Sequence, residues 1–260
     1  MDSTVRQEKP FGSDHGLVHE AVVTGRKVGA GEEFWATLAH DEAMFRRVVD
    51  LVNGSPAPVS TPVTIDQAAT IMGTNFHGVE ALEKLLGRNL AKRAKATLNK
   101  GVPFSAETLE ACRDTHVLVA CAGISLMEVW SAQTALFYAK SDPWYKSQQF
   151  ATTKVKVGWY LVRKTPVPDS TSKTWAEQCE LLTEMDEVTS ASVLAQAILI
   201  HYLETKERLF EAIYVRVSDV ASGGIRVNLG NFNQDGLNVN NNWDTNRNSN
   251  IGVSASRKFS

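Results

Sequence analysis

The amino-acid sequence predicts an α+β protein with a mostly helical region at residues 1–150 and a smaller α+β domain at residues 151–260. Apolar residues recur at helical spacing through much of the first region. After residue 211 the chain changes to short β-branched and aromatic segments separated by Gly- and Asn-containing turns, which is typical of antiparallel strands. At 260 residues, the chain is long enough for one large domain or two ordinary ones.

The first region carries several helix signals. A helix is predicted over residues 31–53, and residues 55–63, which hold three of the eight prolines, predict a linker. The apolar stripe of that helix consists of Phe34, Leu38, Phe45, Val48 and Val49. Two short helices around residues 73–75 are predicted next, then a buried strand at residues 116–123 and a helix at residues 125–133.

The second domain is predicted to contain one strand, two helices and then several antiparallel strands. Residues 154–167 are rich in β-branched and aromatic side chains and end at prolines, which predicts the first strand. Residues 171–182 and 189–210 predict the two helices. The later strands are predicted at residues 212–219, 224–232, 237–243 and 250–259.

Asparagine is distributed unevenly along the chain. Four asparagines precede residue 228, whereas ten lie between residues 228 and 250. From residue 238 to residue 250 every even-numbered position is Asn or Asp, and most apolar side chains fall on odd-numbered positions. Because side chains alternate between the two faces of a strand, one face is predicted to be uniformly polar. Asn has low strand propensity, so backbone preference does not account for this pattern.

The residues of this polar face are compatible with two interpretations. It is either a solvated loop or polar strand face, or a surface that displays amide donors and acceptors for ligand binding. Asn241 and Trp243 have the opposite parity. Trp243 is therefore predicted to be an anchor in the core, as are the apolar residues that follow it, such as Ile251.

The stretch NWDTNRNSNIGVSASRKF at residues 242–259 resembles the C-terminal variable region of proteins targeted by diversity-generating retroelements. In that family an error-prone reverse transcriptase rewrites adenines, for which Asn codons are favoured substrates. The usual scaffold of the family is a C-type-lectin-like fold, in which a strand and two helices precede the strands that carry the diversified side chains. The resemblance covers about residues 154–260 and implies such a domain, with a variable segment at residues 226–251.

The resemblance implies a protein that displays a hypervariable surface to an unidentified protein or other macromolecular ligand. We expect no catalysis, cofactor or metal. By this resemblance, the ligand-binding residues are Asn228, Asn231, Asn233, Asn238, Asn240, Asn242, Asn246, Asn248 and Asn250.

The alternative function is that of a DNA-binding regulator. Residues 64–87 fit the spacing of a helix-turn-helix motif with Gly73 at the turn. Residues 88–100 follow with a basic strip that contains no acid. The strip consists of Arg88, Lys92, Arg93, Lys95 and Lys100. Against DNA binding, the second helix offers His77, Glu80 and Glu83 in place of base-reading Arg, Asn or Gln. A third class, an assembly or virion protein, predicts a stable oligomer.

Composition argues against several other classes. The formal net charge of −2 is unlike that of a general nucleic-acid binder, and three cysteines without CxxC spacing do not form a disulfide framework or a cysteine-rich zinc module. The chain begins without an apolar signal core and has no run of about 20 apolar residues, so we predict a cytoplasmic protein or a component of a phage particle.

Catalytic and metal-binding motifs are not found in the sequence. No GxSxG motif or P-loop is present, and Cys121 lies in a predicted buried strand, where a thiol is usually inert. His15 and His19 are four residues apart, but we predict surface residues rather than zinc ligands. The sequence therefore predicts a binding protein and not an enzyme.

Overall fold

The structure of the protein is a computed structural model that describes residues 15–27, 29–42, 44–45, 48–49 and 63–258. The chain divides into two compact units, Met1–Val59 and Ser60–Ser260. The boundary predicted at residue 150 therefore lies inside the second unit. The predicted linker lies outside the described residues except for Val63, which forms an isolated antiparallel bridge with Val102.

The first unit contains the helices α1 (His15–Lys27) and α2 (Glu32–His40). Helix α2 lies within the predicted helix 31–53 and ends where Asp41 adopts an extended conformation. All nine residues of α2 are described, and none of them is buried. Phe34 and Phe45 are exposed, so the predicted apolar stripe lies at the surface of this unit at these two positions.

The second unit contains eight further helices and all the strands of the described chain. Its helices are α3 (Ile65–Met72), α4 (Val79–Leu86), α5 (Lys92–Leu98), α6 (Ala106–Cys112), α7 (Leu126–Ala132), α8 (Gln149–Thr152), α9 (Trp175–Cys179) and α10 (Ala191–Thr205). Its strands are β1 (Phe76–His77), β2 (His116–Cys121), β3 (Gly158–Arg163), β4 (Asp186–Glu187), β5 (Tyr214–Ala221), β6 (Ile225–Asn233), β7 (Gly236–Asn242), β8 (Ile251–Val253) and β9 (Ser256–Arg257).

The strands form two sheets. The five-stranded sheet has the order β1-β2-β3-β9-β4, and the four-stranded sheet has the order β7-β6-β5-β8. In the four-stranded sheet β5, β6 and β7 are antiparallel neighbours, as predicted. Strand β8 pairs with β5 in the parallel direction, so the prediction of only antiparallel strands is wrong at this position.

Helix α10 lies at the centre of the second unit. Its residues from Ala191 to His201 are all buried, and it contacts strands of both sheets as well as α4, α7 and α8. A helix that is apolar around its whole circumference is stable only when neighbours surround it, which explains why α10 has no polar face over these turns. The two sheets therefore share one large core, and Val167, Val253 and Ala255 form a smaller second cluster beside α9.

The predicted α+β class is confirmed, because the described chain combines ten helices with two sheets. The predicted buried strand at 116–123 is β2, and it pairs with β3 over six residues, from His116 opposite Arg163 to Cys121 opposite Gly158. This pairing joins the part of the chain before residue 150 to the part after it. The sequence order of β3, α9, α10 and β5 matches the predicted order of a strand, two helices and further strands, with the short β4 between the helices.

Candidate functional site

The Asn-rich segment, residues 226–251, begins in the hairpin formed by β6 and β7. The hairpin turns at residues 234–235, where the backbone N–H of Asp235 donates a 2.8 Å hydrogen bond to the side-chain oxygen of Asn233. Asn is favoured in such turns because its side chain bonds to the backbone two residues later. The next residue, Gly236, has a φ of 117°, which a residue with a side chain rarely adopts.

Strand register places the even-numbered asparagines of β7 on one face of the sheet. Asn240 lies opposite Asn228, and Asn242 lies opposite Arg226. Leu237 and Val239 are buried on the other face, which packs into the core. The predicted alternation is therefore confirmed on β7.

The alternation ends with the strand. Strand β7 stops at Asn242, and residues 243–250 form a loop that leads to β8. Trp243 is 55% exposed, so the prediction that it anchors the core is wrong. The physical reason is that parity specifies a face only while the backbone stays extended. Ile251 and Val253 of β8 are buried, as predicted.

The nine predicted ligand-binding asparagines differ in exposure. The exposed members are Asn240, Asn246 and Asn250. The partly buried members are Asn231, Asn233, Asn238, Asn242 and Asn248. Asn228 is only 2% exposed, so its side chain lies beneath the surface formed by the others. Its amide nitrogen has no hydrogen-bond partner. We call the eight accessible residues the asparagine surface.

The loop at residues 243–250, which we call the anchored loop, is held by its main-chain oxygens. The carbonyl oxygen of Asp244 accepts a 2.8 Å hydrogen bond from the backbone N–H of Trp175. The carbonyl of Asn248 accepts one of 2.9 Å from Ser172, and that of Asn250 accepts one of 2.9 Å from Tyr214. Each of these bonds uses backbone groups that every amino acid except proline provides in full.

Arg216 of β5 supplies two further bonds to the anchored loop. Its Nη2 atom donates to the carbonyl oxygens of Trp243, at 3.0 Å, and Asn246, at 2.8 Å. Its Nη1 atom donates to the carbonyl of Lys173 and to the side-chain oxygen of Gln178. The side chain is fully buried. The planar guanidinium thus joins the anchored loop to the segment around α9, and its fork geometry suits several acceptors at once.

Burial determines the electrostatics of Arg216. Desolvation lowers the pKa of its guanidinium, while the charge of Asp244 acts in the opposite direction. The sequence pattern gives no signal that Arg216 is buried, because a charged side chain between Val215 and Val217 predicts the solvent-facing side of a strand. Only the cover provided by the anchored loop and α9 buries it.

Two ion pairs connect side chains of the anchored loop to neighbouring elements. Arg226 stacks over the ring of Trp175, with its guanidinium carbon 3.9 Å from the ring centroid, and pairs with Asp244 at 3.1 Å. Arg247 pairs with Glu177 at 2.7 Å. Backbone hydrogen bonding at Thr174, followed by the bond from Arg247, lowers the pKa of Glu177 to about 2. Both arginines beside the asparagine surface therefore already have carboxylate partners.

The asparagine side chains bond mainly to other residues of the same segment. Asn238 donates to the carbonyl of Asn231 at 3.3 Å, Asn246 donates to the side chain of Asn242, and Asn240 accepts from the N–H of Asn241. These contacts leave further donor and acceptor capacity on each amide. The surface is thus neutral and able to hydrogen-bond in both directions.

The segment predicted as a helix-turn-helix contains α3 and α4, but a 3₁₀ turn at Gly73–Asn75 and strand β1 lie between them. Strand β1 pairs with β2 in the parallel direction, and His77 is buried. Helix α4 buries Leu82, Leu85 and two neighbouring residues and contacts α10. One face of the second helix of the predicted motif is therefore buried in the core.

The basic strip at residues 88–100 follows α4 and includes α5. Arg88, Lys92, Arg93 and Lys100 are exposed. Lys95 pairs with Glu83 at 2.8 Å, and Glu83 also accepts a hydrogen bond from the N–H of Leu90. Local pairing therefore neutralises one of the five cations.

Buried histidines form a second polar site that the sequence analysis did not identify. The Nε2 atom of His77 lies 2.9 Å from the Nδ1 atom of His201, whose Nε2 atom lies 2.9 Å from a carboxylate oxygen of Glu207. Burial, together with the charge of His201, lowers the pKa of His77 to about 4. His77 and His201 are 124 residues apart, so sequence spacing contains no signal for this contact.

The remaining candidates for catalysis or metal binding are not part of any cluster among the described residues. Cys121 is fully buried, and burial raises the pKa of its thiol, as expected for an unreactive cysteine. Within the described chain, no group of three or more His, Cys, Asp or Glu residues is arranged to hold a metal ion, and the side chain of His15 lies outside the described residues. None of the described helices combines the length and apolar character needed to cross a bilayer.

Comparison with protein-family models, with curated proteins and with solved structures found no match. The function is therefore inferred from the chemistry of the residues and from their arrangement. Two exposed arrangements could contact a macromolecule: the asparagine surface with its anchored loop, and the basic strip beside α4.

Proposed function

We propose that this protein is a ligand-binding protein whose segment 226–251 is a hypervariable surface diversified by a retroelement. The proposed scaffold is a C-type-lectin-like arrangement of β3, α9, α10 and the four-stranded sheet. Recognition is non-covalent, without catalysis. The observation that supports this proposal is the attachment of the anchored loop through five main-chain oxygens, those of Trp243, Asp244, Asn246, Asn248 and Asn250.

Main-chain attachment separates the shape of the loop from the identity of its asparagine side chains, and only Asp244 and Arg247 add side-chain ion pairs to neighbouring elements. A loop held by its own side chains changes conformation when those side chains are replaced, whereas backbone carbonyls survive nearly every substitution. Surface substitutions away from such contacts usually change stability by no more than about 0.5 kcal/mol. The arrangement suits a surface whose composition changes while its backbone stays constant.

The chemistry of the asparagine surface suits recognition of a macromolecule. Each Asn contributes two donors and an acceptor without net charge, so the surface binds through matched hydrogen bonds. A fixed backbone reduces the entropy that is lost when these groups become ordered against a ligand. Under this proposal the protein acts in the cytoplasm or in a phage particle.

DNA binding through residues 64–87 is the competing proposal. It is supported by the four exposed cations of the basic strip. It is weakened by the exposed carboxylate of Glu80 on α4 and by the pairing of Lys95 with Glu83. Neutralising Lys92, Arg93 and Lys95 abolishes salt-dependent DNA binding if this alternative is correct.

The deciding experiment for the main proposal is to sequence the DNA next to the gene. We expect a near-copy of the region that encodes residues 226–257, differing mainly at adenines, beside a reverse transcriptase gene. A flanking sequence with neither feature contradicts diversification. The asparagine surface would then be an ordinary polar face, and the DNA-binding proposal would take precedence.

A further inference from the structure

A segment that precedes β3 in the chain lies along the free edge of β7. Phe137 forms a parallel bridge with Leu237, and the N–H of Tyr138 donates a 3.0 Å hydrogen bond to the carbonyl oxygen of Leu237. The indole N–H of Trp144 donates a 2.8 Å hydrogen bond to the carbonyl oxygen of Val239. We call residues 137–144 the edge segment. It places residues from outside the Asn-rich segment against the main chain of Leu237 and Val239, which alternate with Asn238 and Asn240 along β7.

The edge segment is held firmly in this position. Phe137 is fully buried, and Trp144 packs against the rings of Tyr145 and Phe150, with centroids 5.7 and 5.9 Å away. Gly236 permits the close approach, because a Cβ atom at this position would lie only 2.5 Å from the carbonyl carbon of Phe137. Both ends of the edge segment are therefore fixed against β7.

Three large aromatic side chains are exposed along β7. Tyr138 is 60% exposed near the first residues of the strand, Trp144 is 41% exposed beside its middle, and Trp243 is 55% exposed just after its end. At about 3.3 Å per residue, the row follows roughly 20 Å of strand. We call these three residues the aromatic border. Exposed aromatic residues in such numbers mark binding surfaces, because Trp and Tyr dominate the energetics of protein interfaces.

The charges beside the aromatic border indicate which class of ligand it suits. Arg226 and Arg247 are paired with Asp244 and Glu177, and the ammonium group of Lys140 donates to the carbonyl oxygens of Ala135 and Asp235. A nucleic acid requires cations that remain available for its phosphates. Neutral amides flanked by aromatic rings are instead complementary to the surface of a folded protein with little net charge.

We propose that Tyr138 and Trp144 of the aromatic border are a constant part of the ligand-binding site and that its ligand is a folded protein surface with little net charge. Tyr138 and Trp144 lie outside the Asn-rich segment, so they contribute the same contact area whatever residues occupy the asparagine surface. This inference rests on the proposed function, because it assigns affinity to the aromatic border and specificity to the asparagine surface.

Two phage-displayed libraries of the full chain test this assignment. Both randomise Asn238, Asn240, Asn242, Asn246 and Asn248, and one also carries Tyr138→Ser and Trp144→Ala. Each library is selected in parallel on lysozyme, on serum albumin and on a single-stranded oligonucleotide. Met185→Ala supplies the matched control, because Met185 has the same exposure as Trp144 but lies beside Lys258, next to the five-stranded sheet.

We expect protein binders mainly from the library that keeps both aromatic residues. Introducing Tyr138→Ser or Trp144→Ala into those binders should raise Kd at least about tenfold, and Met185→Ala should leave it within about twofold. Equal yields from both libraries would overturn the role of the aromatic border while leaving the proposed function intact. Failure of both libraries on every target would contradict the proposed function itself.

Two further results decide the remaining points. Binders that recognise only the oligonucleotide would overturn the assignment of a protein ligand. Trp144 also contributes packing, so the Tyr138→Ser variant is the decisive one if the Trp144 variant unfolds. The melting temperature of each purified variant separates a loss of affinity from a loss of folding.

Discussion

The guanidinium of Arg216 donates a 2.8 Å hydrogen bond to the main-chain oxygen of Asn246, and the same Nη2 atom reaches the carbonyl of Trp243 at 3.0 Å. A buried residue of β5 thereby holds the backbone of the anchored loop, while the side chains of Asp244 and Arg247 pair with Arg226 and Glu177. The proposed variability of the loop depends on this bond, because it constrains the backbone without specifying any side chain.

Replacing Arg216 with Lys should destabilise the protein strongly. An ammonium group cannot reproduce the planar fork that serves four acceptors, and the unmatched carbonyls stay buried. The expected loss is roughly 3 kcal/mol or more in the free energy of unfolding, measured by urea denaturation. Arg247→Lys is the matched control, since its exposed pair with Glu177 is worth at most about 1 kcal/mol. Equal losses from the two variants would show that Arg216 does not hold the loop.

Replacing Asn238, Asn240, Asn246 and Asn248 together with Ser should hardly change the melting temperature. Their side chains bond mainly within the segment, so the expected loss is under about 1 kcal/mol, or less than roughly 4 °C. Ile251→Ala serves as a reference, because burial of Ile251 in β8 predicts a loss of about 2–5 kcal/mol. A fall as large as that of the reference would assign these asparagines a structural role.

Trp243→Ala should have a small effect on stability, because more than half of the side chain is exposed. The comparison is Trp159→Ala. Trp159 is buried and donates a 3.0 Å hydrogen bond to the carbonyl of Leu98, so its truncation should cost about 3–5 kcal/mol. Differential scanning calorimetry of the two variants provides the test. Similar melting temperatures for both variants would show that Trp243 anchors the core, as strand parity predicts.

Acid should destabilise the second unit through its buried histidines. Burial is the largest cause that lowers the pKa values of His77 and His116 to about 4, and burial also lowers the pKa of His201. A histidine whose folded pKa is lowered binds more protons in the unfolded state, so stability decreases as the pH falls from about 6.5 towards 4. The contribution of His77 over this range is roughly 3 kcal/mol.

Unfolding of the His77→Gln variant at several pH values measures this contribution. The variant should lose part of the acid dependence, because Gln does not titrate. The groups that act on the pair are Glu204, Glu207 and Lys164, and they stay in place. His19→Gln, at an exposed position of α1, is the control and should keep the dependence of the parent. An unchanged pH profile for His77→Gln would exclude the His77–His201 contact as a source of acid sensitivity.

Patterns within single segments were sufficient for much of the fold. The run His116–Cys121 predicted β2, and the apolar turns of Ala191–Thr205 predicted α10, because both depend on local hydrophobicity and backbone preference. Alternation predicted the two faces of β7 for the same reason. The extent of the second unit depends on contacts between distant segments, since the pairing of β2 with β3 joins segments that are separated by two helices.

The candidate site shows the same division. Composition and a period of two are properties of the chain, so they were enough to predict that Asn side chains gather at residues 228–250 and alternate along β7. The burial of Asn228, the exposure of Trp243 and the bonds from Arg216 to the anchored loop arise from contacts between distant segments. These outcomes depend on where β7 ends and on which distant segments cover the sheet, and neither is encoded in the spacing of neighbouring residues.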